Sequence, residues 1–240
     1  VTPPRLFCPL PLSAGIELAL PEEAAHHAVR VLRLRVGDWL TLFSGDGAEY
    51  EAQVAGVAPR AVSVRLLERR VVERESPLKV TLVQALIAAE RMDYVVQKAV
   101  ELGVTAIVPV ATDRGVTRLD GPRAQRRLEH WRQIVIAACE QCGRSRLARI
   151  EAPCELREWL RCPSDARTRL LLAPEAALPL GKLSAPAGTI ELVVGPEGGF
   201  APEEQATPHA AHRNCGPGCA GSNGRPLGRL ALSLLLWSVE

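Results

Sequence analysis

Lysine is nearly missing from this chain. It occurs three times, at Lys79, Lys98 and Lys182, so most of the 29 basic residues are arginine. Against 27 acidic residues the balance is only +2. That excludes a uniformly cationic surface, and any affinity for nucleic acid has to come from local arginine clusters, whose guanidinium forks suit phosphate and stack on bases. No run of about 18 apolar residues is present; Leu230 to Val239 is apolar but too short to span a bilayer. No apolar stretch at the N-terminus has the form of a signal peptide. With an odd number of cysteines, seven, the expectation is a cytoplasmic protein with reduced thiols and no membrane partner. No internal repeat is evident, and no Ser-His-Asp order suggests hydrolysis.

What the chain does have is 240 residues, 47% of them apolar, enough for a real core in one large domain or two modest ones. Residues 1–74 read as β-rich. Ala28 to Arg35 alternates apolar and basic residues; Trp39 to Phe43, Tyr50 to Val57 and Ala61 to Leu67 are further strands, and Gly45-Asp46-Gly47 is a hairpin signal. Short strands at this spacing predict a small barrel, with Arg30, Arg33 and Arg35 at its rim or on a solvated strand face. Glu73 to Pro77 is a charged break, and the domain boundary is placed there.

From Lys79 the pattern becomes α/β. Lys79 to Ile87 reads as a strand. Met92, Val95, Val96, Ala99 and Leu102 follow a helical period that Gly103 ends, and Thr105 to Val110 is the next strand. This βαβ unit predicts a parallel sheet. A second helix, about Arg123 to Gln141, carries the apolar stripe Leu128, Trp131, Val135, Ala138, with Arg123, Arg126, Arg127 and Arg132 on its other faces. Leu170 to Ala173 and Thr189 to Val194 are two more buried strands.

The second of these stops at Gly195-Pro196-Glu197-Gly198-Gly199. Glycines allow close backbone approach, and a strand ending in such a loop places ligand-binding backbone at the carboxyl edge of the sheet. The spacing is neither the dinucleotide fingerprint G-x-G-x-x-G nor the phosphate loop G-x-x-x-x-G-K-[ST], and a plain surface turn is the competing reading.

Four ordered segments carry a family resemblance. His26 to Asp38, Met92 to Val104, Ala137 to Arg144 and Gly195 to Gly199 resemble, respectively, the barrel motif, the first catalytic-domain helix, the end of the arginine-rich helix and the cofactor loop of the ribosomal RNA small subunit methyltransferase E family, the 16S rRNA uracil-N3 methyltransferases of the SPOUT class. The resemblance covers roughly residues 5–204. It implies an α/β, SPOUT-type, trefoil-knotted parallel sheet with helices on both faces over residues 75–240, preceded by a PUA-like β-barrel over residues 1–74. It also implies S-adenosylmethionine as methyl donor, a homodimer, and 16S rRNA of the small ribosomal subunit, not DNA, as partner. Cofactor contacts are expected from Leu172, Val194, Gly195, Pro196, Glu197, Gly198, Gly199, Leu227 and Gly228. The uridine N3 carries a proton that must leave before attack, so negative charge builds on the uracil carbonyls. Arg144, which closes the Gln-Cys-Gly-Arg motif, is the first choice to stabilise it, Arg114 the second, and Glu197 a candidate to accept the proton or orient groups. Arg30, Arg33, Arg123, Arg126 and Arg127, with Arg144, are expected to line an RNA surface formed partly across two subunits; plain phosphate contact is the simpler role for each.

The chain departs from the family after Glu203-Glu204. The family's Leu-Gly-Pro-Arg and following Arg-Thr-Glu-Thr are replaced by Leu227-Gly228-Arg229-Leu230 with no Arg-Thr-Glu-Thr. The anomalous segment 205–229 is rich in Gly, Pro, His and Asn, as a local reading-frame disturbance would leave it. Gln205 to about Pro226 is expected to be irregular. Two rival readings follow: an inactive RNA-binding relative with a defective knot, and a C-terminal zinc-binding module built on His209-x-x-His212-x-x-Cys215-x-x-x-Cys219. No metal is the favoured expectation. Cys139-x-x-Cys142 lacks a thioredoxin-like context, and His26-His27 reads as structural.

Overall fold

The computed structural model describes residues 3–58, 61–164, 166, 168–172, 178–179, 188–205 and 212–216. The chain divides into two compact units, Val1–Glu75 with Ile136–Leu147, and Ser76–Val135 with Ala148–Glu240.

The first unit is a five-stranded sheet of β1 (Arg5–Phe7), β2 (Glu17–Ala19), β3 (Trp39–Phe43), β4 (Ala48–Ala58) and β5 (Ala61–Val71), in the order β1-β3-β4-β5-β2. β1 runs parallel to β3; the other pairs are antiparallel. Alternation along β3, β4 and β5 turns Leu40, Leu42, Val54, Val64 and Leu66 into one core with Leu6, as period-2 patterning requires. The expectation of a strand over Ala28 to Arg35 is wrong. Helix α1 (Glu22–His26) runs into a π-helical turn, His27–Val31. Ala25, Ala28, Val29 and Leu32 fall on one face at helical spacing and pack on the barrel core. Acidic Glu22 and Glu23 sit in the first turn, where the helix dipole favours them. An eight-residue alternation does not separate strand from helix when its polar members are arginines, which are good helix formers.

The second unit is an eight-stranded sheet among the described residues. Its strands are β6 (Lys79–Ala85), β7 (Ala106–Ala111), β8 (Arg149–Ile150), β9 (Cys154–Glu155), β10 (Thr168–Leu172), β11 (Leu178–Pro179), β12 (Thr189–Val194) and β13 (His212–Gly216). The order is β11-β13-β10-β12-β6-β7-β8, with β9 also on β7. Every pairing is parallel, so all carboxyl ends lie on one edge. Leu82 and Val83, neighbours on opposite faces, are both fully buried; that is why these strands read as continuous apolar runs. Helices α2 (Ala89–Glu101), α3 (Gly121–Cys142), α4 (Leu156–Arg161) and α5 (Pro202–Gln205) are the further helices among the described residues. Leu156 and Leu160 of α4 pack on the face carrying Val83, Val108, Leu171 and Val193. Gly103, at φ +94°, ends α2 as its sequence predicts. The α3 stripe Leu128, Trp131, Val135, Ala138 is buried.

The expectation that Gln205 to about Pro226 is irregular fails at Gln205, the last residue of α5, and over His212–Gly216. His212–Gly216 pairs in parallel with β10, from Arg169↔His212 to Leu172↔Cys215. A strand beside an established parallel neighbour gains its ladder hydrogen bonds from that neighbour, and weak local propensity does not prevent pairing. The rest of the segment, including His209, Cys219, Leu227 and Gly228, lies outside the described residues. Among the described residues no helix is long and apolar enough to cross a membrane.

Candidate active site

β12 is central, flanked by β10 and β6, and it delivers the glycine loop to the carboxyl edge. Leu172 and Val194 are register partners at the ends of β10 and β12, and Val194 faces Gln84 of β6. All three are buried. Beyond Val194 the chain turns at once: the Gly199 N–H donates to the Pro196 carbonyl at 2.9 Å, with Gly199 at φ +69°.

The three glycines have different reasons. Gly199 has the left-handed backbone that glycine tolerates. At Gly195 a Cβ would meet the Phe200 ring at 2.9 Å, and Phe200 is locked in the core. At Gly198 a Cβ would find only ordinary contacts, 3.8 Å from Arg114. Neither packing nor positive φ explains that glycine, which lies exposed on the edge.

Other carboxyl-edge segments converge on this loop. Arg114, after β7, donates from Nη1 to the Gly198 carbonyl at 3.3 Å. Arg91, in the first turn of α2, pairs with Glu197 at 2.8 Å, both half exposed. Glu204 is buried and fastens two of the segments: Oε1 accepts the Asp113 N–H at 2.9 Å and Oε2 the Ala201 N–H at 2.8 Å. The latter is half of a capping box on α5, with Pro202 at its first position. Sequence reasoning missed Arg91 and Glu204. The Pro-x-Glu spacing after the loop was the available signal for Glu204; Arg91 had none, since its partner is 106 residues away. Thr112, buried at the end of β7, has a hydroxyl with no hydrogen-bond partner among the described residues.

The loop, Arg114 and Glu197 thus come together in the second unit. Arg144 belongs to the first. It is 6% exposed, and Glu75 takes its guanidinium through Nε (3.1 Å) and Nη2 (2.5 Å). Its turn is fixed as well: Arg5 donates to the Arg144 carbonyl at 3.1 Å and Arg74 to the Gly143 carbonyl at 2.8 Å. Ser145 and Arg5 bind Glu49 at 2.6 and 2.8 Å, and Arg74 also pairs with Glu49. Burial pushes the Glu49 carboxyl up, but these donors outweigh it and hold it below its ordinary value. Of the helix arginines, Arg123 and Arg126 are exposed. Arg127 is half-buried, beside Asp93 and 5.7 Å from the Trp131 ring. Arg30 and Arg33 are exposed on the first unit. The Cys139 thiol donates to the Arg146 carbonyl at 3.7 Å.

Known proteins are similar to this chain in sequence and fold. A family model described as an RNA methyltransferase domain matches residues 74–215, and an RNA methyltransferase PUA domain matches residues 20–67. A Legionella pneumophila protein solved with bound cofactor SAM is 33% identical, with TM-score 0.88 over 99% of this chain and 97% of that one. The ribosomal RNA small subunit methyltransferase E of Neisseria gonorrhoeae, bound to S-adenosyl methionine, is 36% identical, with TM-score 0.85 over 99% and 96%. The Bacillus subtilis protein of the same name is 31% identical over 76% of this chain and 74% of its own. With the domain matched over more than half its length and relatives of this kind, the chain belongs to the ribosomal RNA small subunit methyltransferase E family of RNA methyltransferases.

Proposed function

We propose that the protein transfers a methyl group from S-adenosylmethionine to N3 of a uridine in 16S rRNA of the small ribosomal subunit, as a cytoplasmic homodimer with a trefoil-knotted SPOUT domain. The observation that carries the reading is Gly198: a glycine on the carboxyl edge that the fold itself does not require is accounted for by a ligand lying against its backbone. Leu172, Val194 and Gly195 to Gly199 would hold the donor, and the free Thr112 hydroxyl fits a polar ligand group. Leu227 and Gly228, proposed for the same role, are outside the described residues. Bound there, S-adenosylmethionine supplies a methyl group on a sulfonium.

The chain's own residues then handle the uracil. Its N3 proton has to leave, and Glu197, oriented by Arg91, would accept it. The charge that builds on the carbonyl oxygens needs a fixed donor. Arg114, exposed at the loop, suits that task. Arg144 takes second place, because Glu75 already occupies its guanidinium. Arg30, Arg33, Arg123 and Arg126 supply phosphate contacts, while Arg127 steadies α3 against Asp93.

The test is calorimetric titration with S-adenosylmethionine, followed by transfer of a labelled methyl group to small ribosomal subunits and mapping of the modified base. Arg114→Ala is expected to lower kcat about a hundredfold, the scale of one oxyanion donor, with donor affinity unchanged. No donor binding by the wild-type chain, with RNA binding retained, would instead identify an inactive RNA-binding relative.

A further inference from the structure

Three tryptophans fall among the described residues, and two of them seat an arginine. Arg169 lies 4.3 Å over the Trp159 ring and Arg127 5.7 Å from Trp131. Trp39 differs. It is 45% exposed, and among the described residues neither an arginine nor another ring is stacked on it. An indole left in water at the start of a strand calls for an occupant, because large exposed apolar groups cluster where partners bind.

Its surroundings say which. Arg30, Val31, Arg33, Arg35 and Val36 are all exposed ahead of it. The acid in this stretch, Asp38, is occupied by the Arg35 N–H at 2.7 Å. The turn is rigid: Asp38 N–H donates to the Arg35 carbonyl at 3.0 Å, Gly37 N–H to Val54 at 2.9 Å, and Val54 N–H back to Asp38 at 2.9 Å. Two local rules are broken here. Arg33 is the non-glycine residue with positive φ, +54°, among the described residues, and the helix before it widens into a π turn. Retaining an arginine where glycine would be unstrained points to a use for its side chain, and π turns recur at functional sites.

We propose that this face, Arg30, Val31, Arg33, Arg35, Val36 and Trp39, takes an unpaired stretch of RNA, with one base stacked on the Trp39 indole and the flanking phosphates on the arginines. Positive charge selects a polyanion, and a half-exposed aromatic ring close to it along the chain selects one whose bases are unstacked, which disfavours duplex. The proposal rests on RNA being the substrate and adds the form in which the first unit holds it.

The experiment measures fluorescence anisotropy of a labelled oligouridylate and of a labelled RNA duplex with the full chain. Trp39→Leu is expected to weaken oligouridylate binding about tenfold, Trp39→Phe to retain most of it, and duplex binding to stay unchanged in both. Arg33→Gly, which fits the observed φ without strain, is expected to weaken the oligouridylate and lower its salt slope by about one. Wild-type affinity in Trp39→Leu, or equal loss for duplex, overturns the proposal. Methyl transfer to small subunits is followed in parallel. Transfer intact with no Trp39 effect sinks the stacking face alone; a Trp39 effect with no transfer by the wild type sinks the proposed reaction and leaves the face standing.

Discussion

The two units use the same residue pair, arginine and carboxylate, in opposite ways. In the first unit Arg5–Glu49 and Arg144–Glu75 are largely buried pairs with further hydrogen bonds to Ser145 and to the carbonyls of the Gly143–Arg144 turn, although Arg5 Nε has no partner among the described residues. In the second, Arg91–Glu197 is half in water and Arg114 reaches a single carbonyl at 3.3 Å. Largely buried pairs are costly to break; exposed pairs exchange partners at little cost. The difference separates pairs that hold the fold from pairs left open to solvent. The motif most suggestive of catalysis in the sequence, Gln141 to Arg144, is the one most firmly built into a structural network.

The strongest way to break this comparison is Glu49→Ala. It removes the carboxylate that Arg5, Ser145 and Arg74 share, leaving Arg5 only Ser145 and the Arg144 carbonyl, and Arg74 the Gly143 carbonyl. Loss of about 3 kcal/mol in denaturant unfolding is expected, the scale for removing one partner of a buried pair. Acidification tests the same group. The Glu49 pKa is lowered in the folded protein, so its contribution is present above the ordinary carboxylate pKa and is lost as pH falls through the depressed one. A Glu49→Ala chain that unfolds at the wild-type denaturant midpoint would show that the first unit's pairs are decorative.

Next in size is a contrast within the glycine loop. Gly195→Ala drives a methyl group into the Phe200 ring, at 2.9 Å, and should cost about 2 kcal/mol through overpacking. Gly198→Ala meets no such neighbour and should leave the melting temperature within about 1 °C, while Gly198→Val is expected to weaken S-adenosylmethionine binding in calorimetry. Equal thermal shifts at the two positions would remove the distinction between a glycine kept for packing and one kept for a ligand.

Much of the second unit was legible because its signals are local. The apolar run to Val194, the helical period from Met92 and the stop at Gly103 each report a fold feature within a few residues. The glycine loop was legible as a turn at the carboxyl edge for the same reason. What was hidden depends on distant partners. Glu75 meets Arg144 across 69 residues and Glu204 meets Asp113 across 91, and no spacing rule connects them. The helical turn at His27–Val31 was hidden differently: its period was ambiguous, and the choice was made by a barrel core that needed Ala28 and Val29 on one side. β13 was masked by poor propensity and settled by the strand beside it.

The smallest effect sharpens the comparison most, because it asks whether burial alone makes a carboxylate structural. Glu140, in the last turns of α3 and in the first unit, is half-buried and accepts the Phe7 N–H at 2.8 Å. Burial raises its pKa above the ordinary 4.5, against the pull of that hydrogen bond and of the charges on His27 and Arg5. The sign is opposite to that of Glu49. A carboxyl whose folded pKa is raised binds its proton more tightly in the native state, so it weakens the fold at neutral pH, and the penalty is relieved as pH falls through the folded value toward the unfolded one. Glu140→Gln keeps an acceptor for Phe7 and removes the charge. It should therefore stabilise the protein at pH 7 by about 1 kcal/mol or less, the scale of one net hydrogen bond, and raise the melting temperature by about 2 °C. The gain should shrink as the pH is lowered toward the carboxylate range, whereas the loss in Glu49→Ala should shrink only at still lower pH. Melting curves of the two variants and the wild type across that range decide it: a gain for Glu140→Gln that does not change with pH would place its origin in packing, and a loss at pH 7 would make Glu140 another clamp of the Glu49 kind.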